Sequence, residues 1–199
     1  VYQILNITEF IPFWIDFIAS SIIMLTAVLW CVFLKKNLKD KLSLGAYIAF
    51  ATVFISSPII NEIFIFANCN IAVMLGSFLA SLGIMIFYEN YMYIHKKSIY
   101  VASALILTLA MSMYEACVQI MLISICITAL LIIYTNKDKK IKDIFKYIFS
   151  AIGILIVSVI INIIIVQLIY LLGVHRSDAA DKTINWGKYG ILESFTLVI

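Results

Sequence analysis

The chain is a series of long apolar runs separated by short polar segments. The apolar runs cover residues 11–34, 42–60, 71–88, 99–134 and 144–172. A helix needs about 20 mostly apolar residues to cross the hydrocarbon core of a bilayer, which is about 30 Å thick. The pattern therefore predicts membrane-spanning helices, and the polar segment 173–190 is predicted to be a loop.

One of these runs is too long for a single crossing. Residues 99–134 are 36 residues with one charge, Glu115. As one helix they would be about 54 Å long at about 1.5 Å per residue, far more than the hydrocarbon core. The run is therefore predicted to form two helices, 99–111 and 116–134, with a turn around Ser112 to Glu115. This gives six spans in a single transmembrane segment, the others being 11–34, 42–60, 71–88 and 144–172.

Composition supports this class of fold. Apolar residues make up 64% of the chain, and only 14 Lys and Arg and 11 Asp and Glu occur in 199 residues. Such a composition excludes a water-soluble domain, and no nucleic-acid partner is expected. The predicted fold is all-α, a polytopic transmembrane helical bundle. The four cysteines lack metal-type spacing and are interpreted as apolar fillers, with a Cys69–Cys117 bridge as the alternative.

The lysines predict which way the chain crosses the membrane. Three alternate loops hold eleven of the 14 basic residues: Lys35, Lys36, Lys39, Lys41, Lys96, Lys97, Lys137, Lys139, Lys140, Lys142 and Lys146. Basic residues near span ends are retained on the cytoplasmic side. The 173–190 loop is then on the outer side. Aromatic rings are predicted at the two interfaces, with Trp14, Tyr114, Tyr170 and Trp186 outside and Trp30, Tyr47, Tyr88, Tyr91, Tyr100, Tyr134 and Tyr147 inside.

Three acidic residues interrupt the apolar runs near their predicted outer ends: Asp16, Glu62 and Glu115. An ionised side chain there costs several kcal/mol unless it faces water, a partner or a cavity. We therefore expect an outward-facing polar cleft lined by the first, second and fifth helices. Its carboxylates are suited to sugar hydroxyls, a cation or a proton. The alternative is that each side chain merely extends to the outer interface.

The outer loop and the last span add further polar candidates. Arg176 is a candidate for gripping a lipid phosphate and Trp186 for stacking on a sugar ring, although such residues are more often solvated or interfacial. Asn162 and Gln167 in the last span are expected to make interhelical hydrogen bonds. No soluble catalytic signature is present, because the chain has no Gly-rich phosphate loop, H-E-x-x-H or G-x-S-x-G motif.

Several stretches together resemble the bacterial GtrII-type glucosyltransferase family. They are Phe10–Phe17 followed by Trp30 and Cys31, Ile55–Phe64, Met113–Ala116 and Thr183–Gly187. The likeness covers most of the chain, and the S-x-P-x-x-N-E-I-F segment is its most specific part. In two respects the sequence departs from the family. The family has Tyr-Gln-Ala where this chain has Tyr114, Glu115 and Ala116, and the family's paired acidic residues, the expected catalytic base, would lie upstream of Val1. We therefore expect an internal piece of a longer protein.

The resemblance implies a GT-C-like enzyme of the bacterial cytoplasmic membrane. Such an enzyme takes glucose from a polyprenyl-phosphate carrier and attaches it to a cell-envelope glycan such as O antigen on the outer face. The partners implied are the lipid-linked sugar, the glycan acceptor and the bilayer; no cofactor is expected, and a divalent metal stays open. The expected substrate-binding residues are Asp16, Asn61, Glu62, Tyr114, Glu115, Arg176 and Trp186.

A second class of function uses the same cleft. A transporter or flippase would move a polar solute or a lipid-linked glycan through it, and a non-catalytic assembly subunit is a third possibility. Transporters commonly contain duplicated halves with broken helices at corresponding positions. No such repeat is evident in this sequence.

Overall fold

The computed structural model describes residues 12–39, 41–56, 70–114, 116–135 and 141–171. These ranges form six α-helices and no strand, which confirms the all-helical class. The helices are α1 (Pro12–Leu38), α2 (Leu44–Ile55), α3 (Asn70–Glu89), α4 (Lys97–Met113), α5 (Cys117–Thr135) and α6 (Ile141–Leu171). A π-helical turn, Asn90–Ile94, continues α3.

Four of the described helices are long and apolar enough to cross a membrane, namely α1, α3, α5 and α6. The other two are shorter. Helix α2 has 12 residues and α4 has 17, which makes them about 18 Å and 26 Å long. Many large apolar side chains on α1, α4, α5 and α6 are exposed. A surface of this kind is what a helical membrane bundle presents to lipid.

The long apolar run 99–134 forms two helices, with the break near the middle of the run. Helix α4 ends at Met113, Tyr114 has an extended backbone, and α5 begins at Cys117. The predicted pair of helices is confirmed. The second helix begins at Leu44, two residues later than predicted, because Ser43 caps it by accepting a hydrogen bond from the Ala46 backbone N–H. Residues 57–60 of that predicted span lie outside the described ranges.

Two compact units divide the chain, Val1–Asn162 and Ile163–Ile199. In the first unit α3 is the central helix, since it packs against α1, α4 and α5. The described part of the second unit is the C-terminal part of α6, residues 163–171. Its side chains are mostly exposed and apolar, and Gln167 is exposed among them.

Small residues allow α3 to approach its neighbours closely. A Cβ atom added at Gly83 would lie 2.7 Å from Leu107 Cδ2 on α4. One turn of helix away, the Ser103 hydroxyl of α4 donates a 2.7 Å hydrogen bond to the Gly83 carbonyl. Packing of this type is favoured in membranes, where association depends on close contact and hydrogen bonds and not on the hydrophobic effect.

Helices α1 and α3 run parallel, and a polar contact joins them at each end. Near their N-termini, Asn70 Nδ2 donates to Asp16 Oδ1 at 2.9 Å. Near their C-termini, Lys36 Nζ lies 2.8 Å from Glu89 Oε2. The 20 residues from Asp16 to Lys36 rise about 30 Å, which equals the usual hydrocarbon thickness. We call the first level the aspartate end of the bundle and the second the lysine end.

The aromatic side chains near the lysine end mostly face inward. Trp30 is 1% exposed and its Nε1 donates to Ser81 Oγ at 3.1 Å, while Tyr88 and Tyr147 are fully buried. The prediction that these three rings face the membrane interface is therefore wrong. The rings of Tyr88 and Tyr147 pack against each other, and Phe33 contacts both Trp30 and Tyr88. Tyr147 OH also donates to Thr128 Oγ1 at 2.7 Å. Tyr134, by contrast, is exposed, and its position at the membrane interface stays a prediction.

Hydrogen bonds donated by side chains join α6 to α4. Ser158 Oγ donates to the Ala104 carbonyl at 3.1 Å. Nearer the end of α4, the Ser112 hydroxyl donates to Asn162 Oδ1 at 2.8 Å. The interhelical hydrogen bond predicted for Asn162 is confirmed.

Candidate functional site

Asp16 lies in the second turn of α1, beside the stripe of side chains that packs against α3. Ile15, Ala19 and Ile23 are buried in this stripe, together with Ile71 and Met74 of α3. Asp16 itself is half-buried. Its carboxylate is therefore held at the edge of an apolar contact between two helices, where an uncompensated charge is costly.

A hydrogen bond from Asn70, the first residue of α3, compensates for the partial burial of the Asp16 carboxylate. The side chain of Asn70 is 0% exposed, and its Nδ2 donates the 2.9 Å hydrogen bond to Asp16 Oδ1. The second polar atom of this amide, Oδ1, is buried and has no hydrogen-bond partner among the described residues. A buried polar atom without a partner is uncommon in folded proteins, so this one requires an explanation.

The turn between α4 and α5 lies at the same end of the bundle. A Cβ atom added at Gly76, six residues after Asn70, would lie 3.4 Å from Met113 Cβ, the last side chain of α4. The following residue, Tyr114, is 44% exposed. Its N–H donates to the Ala110 carbonyl, and its own carbonyl accepts from the Cys117 N–H at 3.0 Å. These two hydrogen bonds fix the backbone of the turn, while the side chain of Tyr114 stays exposed.

Two of the seven expected site residues can therefore be located, and both are at the aspartate end: Asp16 and Tyr114. The other five lie outside the described residues: Asn61, Glu62, Glu115, Arg176 and Trp186. The cleft of three carboxylates stays a prediction. Sequence reasoning missed Asn70, which the structure places against Asp16. The available signal was its position at the start of an apolar run, where a polar side chain needs a partner.

The charges of the described residues are separated between the two ends. All described lysines lie near the lysine end: Lys35, Lys36, Lys39, Lys41, Lys96, Lys97, Lys142 and Lys146. Glu89 is there too, paired with Lys36 and accepting a 3.3 Å hydrogen bond from Asn37 Nδ2. The Asp16 carboxylate is thus about 30 Å away from these cations along the helix axis. Its surroundings favour uncharged hydrogen-bond donors over anions.

The described His, Cys, Asp and Glu side chains bear on metal and disulfide chemistry. Within the described ranges, no group of three His, Cys, Asp or Glu side chains is arranged to hold a metal ion. Cys117, Cys31 and Cys126 are free thiols, and of these three only Cys117 is buried. The Cys69–Cys117 bridge, the alternative left open by the sequence, is therefore wrong. Cys117 Sγ instead fills the space beside Gly76.

Comparison with known proteins identifies the family. The family model described as Glucosyl transferase GtrII matches residues 1–198. The chain belongs to the GtrII glucosyltransferase family. No curated protein and no solved structure matches it. The resemblance inferred from short motifs is confirmed, and of the three classes considered, the family supports the glycosyltransferase over the transporter and the assembly subunit.

Membership of the GtrII family identifies the kind of chemical group that the protein has to bind. A glucosyltransferase must bind the hydroxyl groups of a sugar, and ionised carboxylates accept strong hydrogen bonds from such groups. Asp16 has one oxygen bonded to Asn70, which fixes the orientation of the carboxylate, while its remaining lone pairs can accept from a ligand. Among the described acidic side chains of this GtrII glucosyltransferase, Asp16 is the one that lies away from the lysines.

Proposed function

We propose that this GtrII protein transfers glucose from a polyprenyl-phosphate carrier to a cell-envelope glycan, such as O antigen, on the outer face of the bacterial cytoplasmic membrane. One observation carries the proposal. The Asp16 carboxylate is kept at the end of an apolar helix, where it is held by a buried amide and lies far from the described lysines. A costly group placed in this way is typical of a functional site in a membrane protein.

The orientation follows from the separation of charge. Lysines near the ends of spans are retained in the cytoplasm, so the lysine end is the cytoplasmic side and the aspartate end faces outward. A sugar on a lipid carrier presents its phosphate at the membrane surface, and a site at the outer boundary is at the right depth for it. The depth of Asp16, about 30 Å from Lys36, supports this arrangement.

The proposed reaction is a displacement at the anomeric carbon. A hydroxyl oxygen of the acceptor glycan attacks this carbon, and the bond from the carbon to the phosphate oxygen breaks. The electron pair of that bond stays with the polyprenyl phosphate, and the hydroxyl proton passes to a general base. We expect the base in the family's first extracytoplasmic loop, which would precede Val1.

The chain's own residues would bind and orient the two substrates. Asp16 binds sugar hydroxyls, and Arg176 stabilises the charge that develops on the leaving phosphate. Trp186 stacks on a sugar ring. The remaining proposed contacts to the substrates come from Asn61, Glu62, Tyr114 and Glu115.

The test uses the full-length protein in proteoliposomes with polyprenyl-phosphate glucose carrying a radioactive label. The proposal predicts that the label moves to an added lipid-linked glycan acceptor. Transfer from the carrier to the glycan supports an enzyme of this donor class. Movement of the labelled lipid between leaflets without transfer would support a flippase and contradict the proposal. Empty liposomes provide the background for both readings.

A further inference from the structure

The unpartnered oxygen of Asn70 lies next to the Asp16 contact. The amide nitrogen and oxygen are bonded to the same carbon, and the nitrogen already donates to Asp16 Oδ1. The Oδ1 atom of Asn70 is therefore a second acceptor in the immediate surroundings of the carboxylate. It is buried and has no donor among the described residues.

The burial of Asn70 makes an unpartnered Oδ1 unfavourable. A buried carbonyl oxygen that has left water and found no donor costs free energy, and a ligand that supplies a donor recovers it. The described lysines are near the other end of the bundle, so no described cation is placed to neutralise the two oxygens. Uncharged hydroxyl groups are the donors that satisfy a carboxylate and an amide oxygen together.

We propose that Asn70 Oδ1 and the Asp16 carboxylate together form a two-acceptor subsite for hydroxyl groups of the sugar. This inference rests on the proposed function and adds Asn70 to it. Asn70 orients Asp16 through its nitrogen and contacts a sugar hydroxyl through its oxygen. The subsite discriminates between sugars, because a site that accepts hydrogen bonds from a hydroxyl rejects an analogue that lacks it.

The experiment combines protein variants with donor analogues. The variant Asn70→Leu replaces the amide by an apolar group of similar shape, so it removes both the donor and the acceptor. The donors are polyprenyl-phosphate glucose and its four analogues that lack the 2-, 3-, 4- or 6-hydroxyl. For each pair, kcat/KM for transfer is measured in the full-length protein at matched membrane abundance.

The proposal predicts a specific coupling. Asn70→Leu lowers kcat/KM for the glucose donor by about tenfold or more, in line with the loss of a buried hydrogen bond. For one of the deoxy donors the same variant causes a clearly smaller loss, because the hydroxyl partner of Asn70 Oδ1 is already missing and only the loss of the hydrogen bond to Asp16 remains. Equal losses with all five donors would mean that Asn70 acts only through the fold, and this result would overturn the proposal, as would unchanged kinetics.

A matched control is available at the same end of the bundle. Asn162 is also an amide that hydrogen-bonds to a neighbouring helix, through Ser112. Asn162→Leu is expected to change the rate by the same factor with every donor. If Asn70→Leu does not fold, Asn70→Ala removes the same polar atoms without bulk and carries the same comparison; if neither variant folds, Asn70 is a folding residue and the proposal is overturned.

The wild-type protein separates this inference from the proposed function. If it transfers no sugar from the glucose donor, the proposed function fails and the subsite fails with it. If it transfers glucose normally while the Asn70 variants show no coupling to any single hydroxyl, only the two-acceptor subsite is wrong.

Discussion

The thiol of Cys117 occupies the space beside Gly76, where α5 begins against α3. A Cβ atom on Gly76 would lie 2.6 Å from Cys117 Sγ and 3.2 Å from the Ala110 carbonyl oxygen. The first distance is shorter than real Cβ contacts, and the second is tighter than most of them. Gly76 is therefore the point at which the turn between α4 and α5 closes onto the central helix, and it positions that turn at the aspartate end.

Replacing Gly76 is expected to push this turn away from α3. Gly76→Ala should lower the free energy of unfolding by about 1–3 kcal/mol, the usual cost of overpacking an interior. Thermal unfolding in detergent measures the change. Cys117→Ala should recover part of the loss in the double variant, because it removes the sulfur atom that lies closest.

Gly153 on α6 is the control for this prediction. Apart from its chain neighbours and the nearby backbone of its own helix, no atom of the described residues lies within 4 Å of a Cβ built there. Gly153→Ala should be neutral or stabilising by up to about 1 kcal/mol, because alanine favours a helix more than glycine does. Equal destabilisation by the Gly76 and Gly153 variants would show that helix flexibility, and not close packing, is the important property of Gly76.

The hydroxyl of Tyr147 is expected to contribute a modest amount to the packing of α6 on α5. It donates to Thr128 Oγ1 at 2.7 Å, and Thr128 itself donates to backbone carbonyls of α5. Tyr147→Phe should lower stability by about 0.6–1.7 kcal/mol, the range for interhelical hydrogen bonds in membranes. A double-mutant cycle with Thr128→Val measures the coupling. Tyr134→Phe, on an exposed ring, should change stability little; a coupling of zero would contradict the assigned bond.

The loop that joins α3 to α4 depends on Asn90. Its buried amide donates to the Lys96 carbonyl at 3.0 Å and accepts from the Lys96 N–H at 2.9 Å. Asn90→Leu should therefore cost about 1–3 kcal/mol in thermal unfolding, because two backbone groups lose a partner. His95 in this loop has φ 58°, so His95→Val should destabilise the loop while His95→Gly should not. Equal tolerance of both His95 variants would contradict the left-handed backbone.

The sequence predicts where helices begin and end better than which way they face. The break near Tyr114 is predictable, because a 36-residue apolar run cannot cross the membrane once. Trp30 shows the limit: it was expected to face the interface but is 1% exposed. Lipid and protein interior are both apolar, so the pattern along α1 contains little information about helix rotation.

The candidate site was predictable to a similar extent. Asp16 is identifiable from sequence because a carboxylate in an apolar run has a high free-energy cost. Its partner Asn70 is 54 positions away, and a single sequence does not reveal such a pairing. The close approach at Gly76 was missed for the same reason, since it depends on Ala110 and Cys117 of other helices.

The orientation of the bundle can be tested by cysteine labelling in cells. Lys97→Cys marks the lysine end and Tyr114→Cys the aspartate end, in a variant without the native cysteines. Both positions are exposed. A membrane-impermeant maleimide should label position 114 on intact cells and position 97 only after permeabilisation. The reverse pattern would place the Asp16 site in the cytoplasm and contradict the proposed outward-facing chemistry.

The role of Asp16 in sugar transfer is the central claim, and Asp16→Asn tests it with little change of shape. An asparagine at position 16 can still accept the hydrogen bond from Asn70, so the variant removes mainly the charge. Asp143→Asn, on an exposed side chain near the lysine end, is the matched control.

The decisive measurement is the rate of glucose transfer from the polyprenyl-phosphate donor by the full-length protein at matched membrane abundance. Asp16→Asn should lower kcat/KM by about tenfold or more, because hydrogen bonds to a charged acceptor are stronger than those to a neutral one. Asp143→Asn should leave the rate unchanged. A wild-type rate in Asp16→Asn would contradict the account.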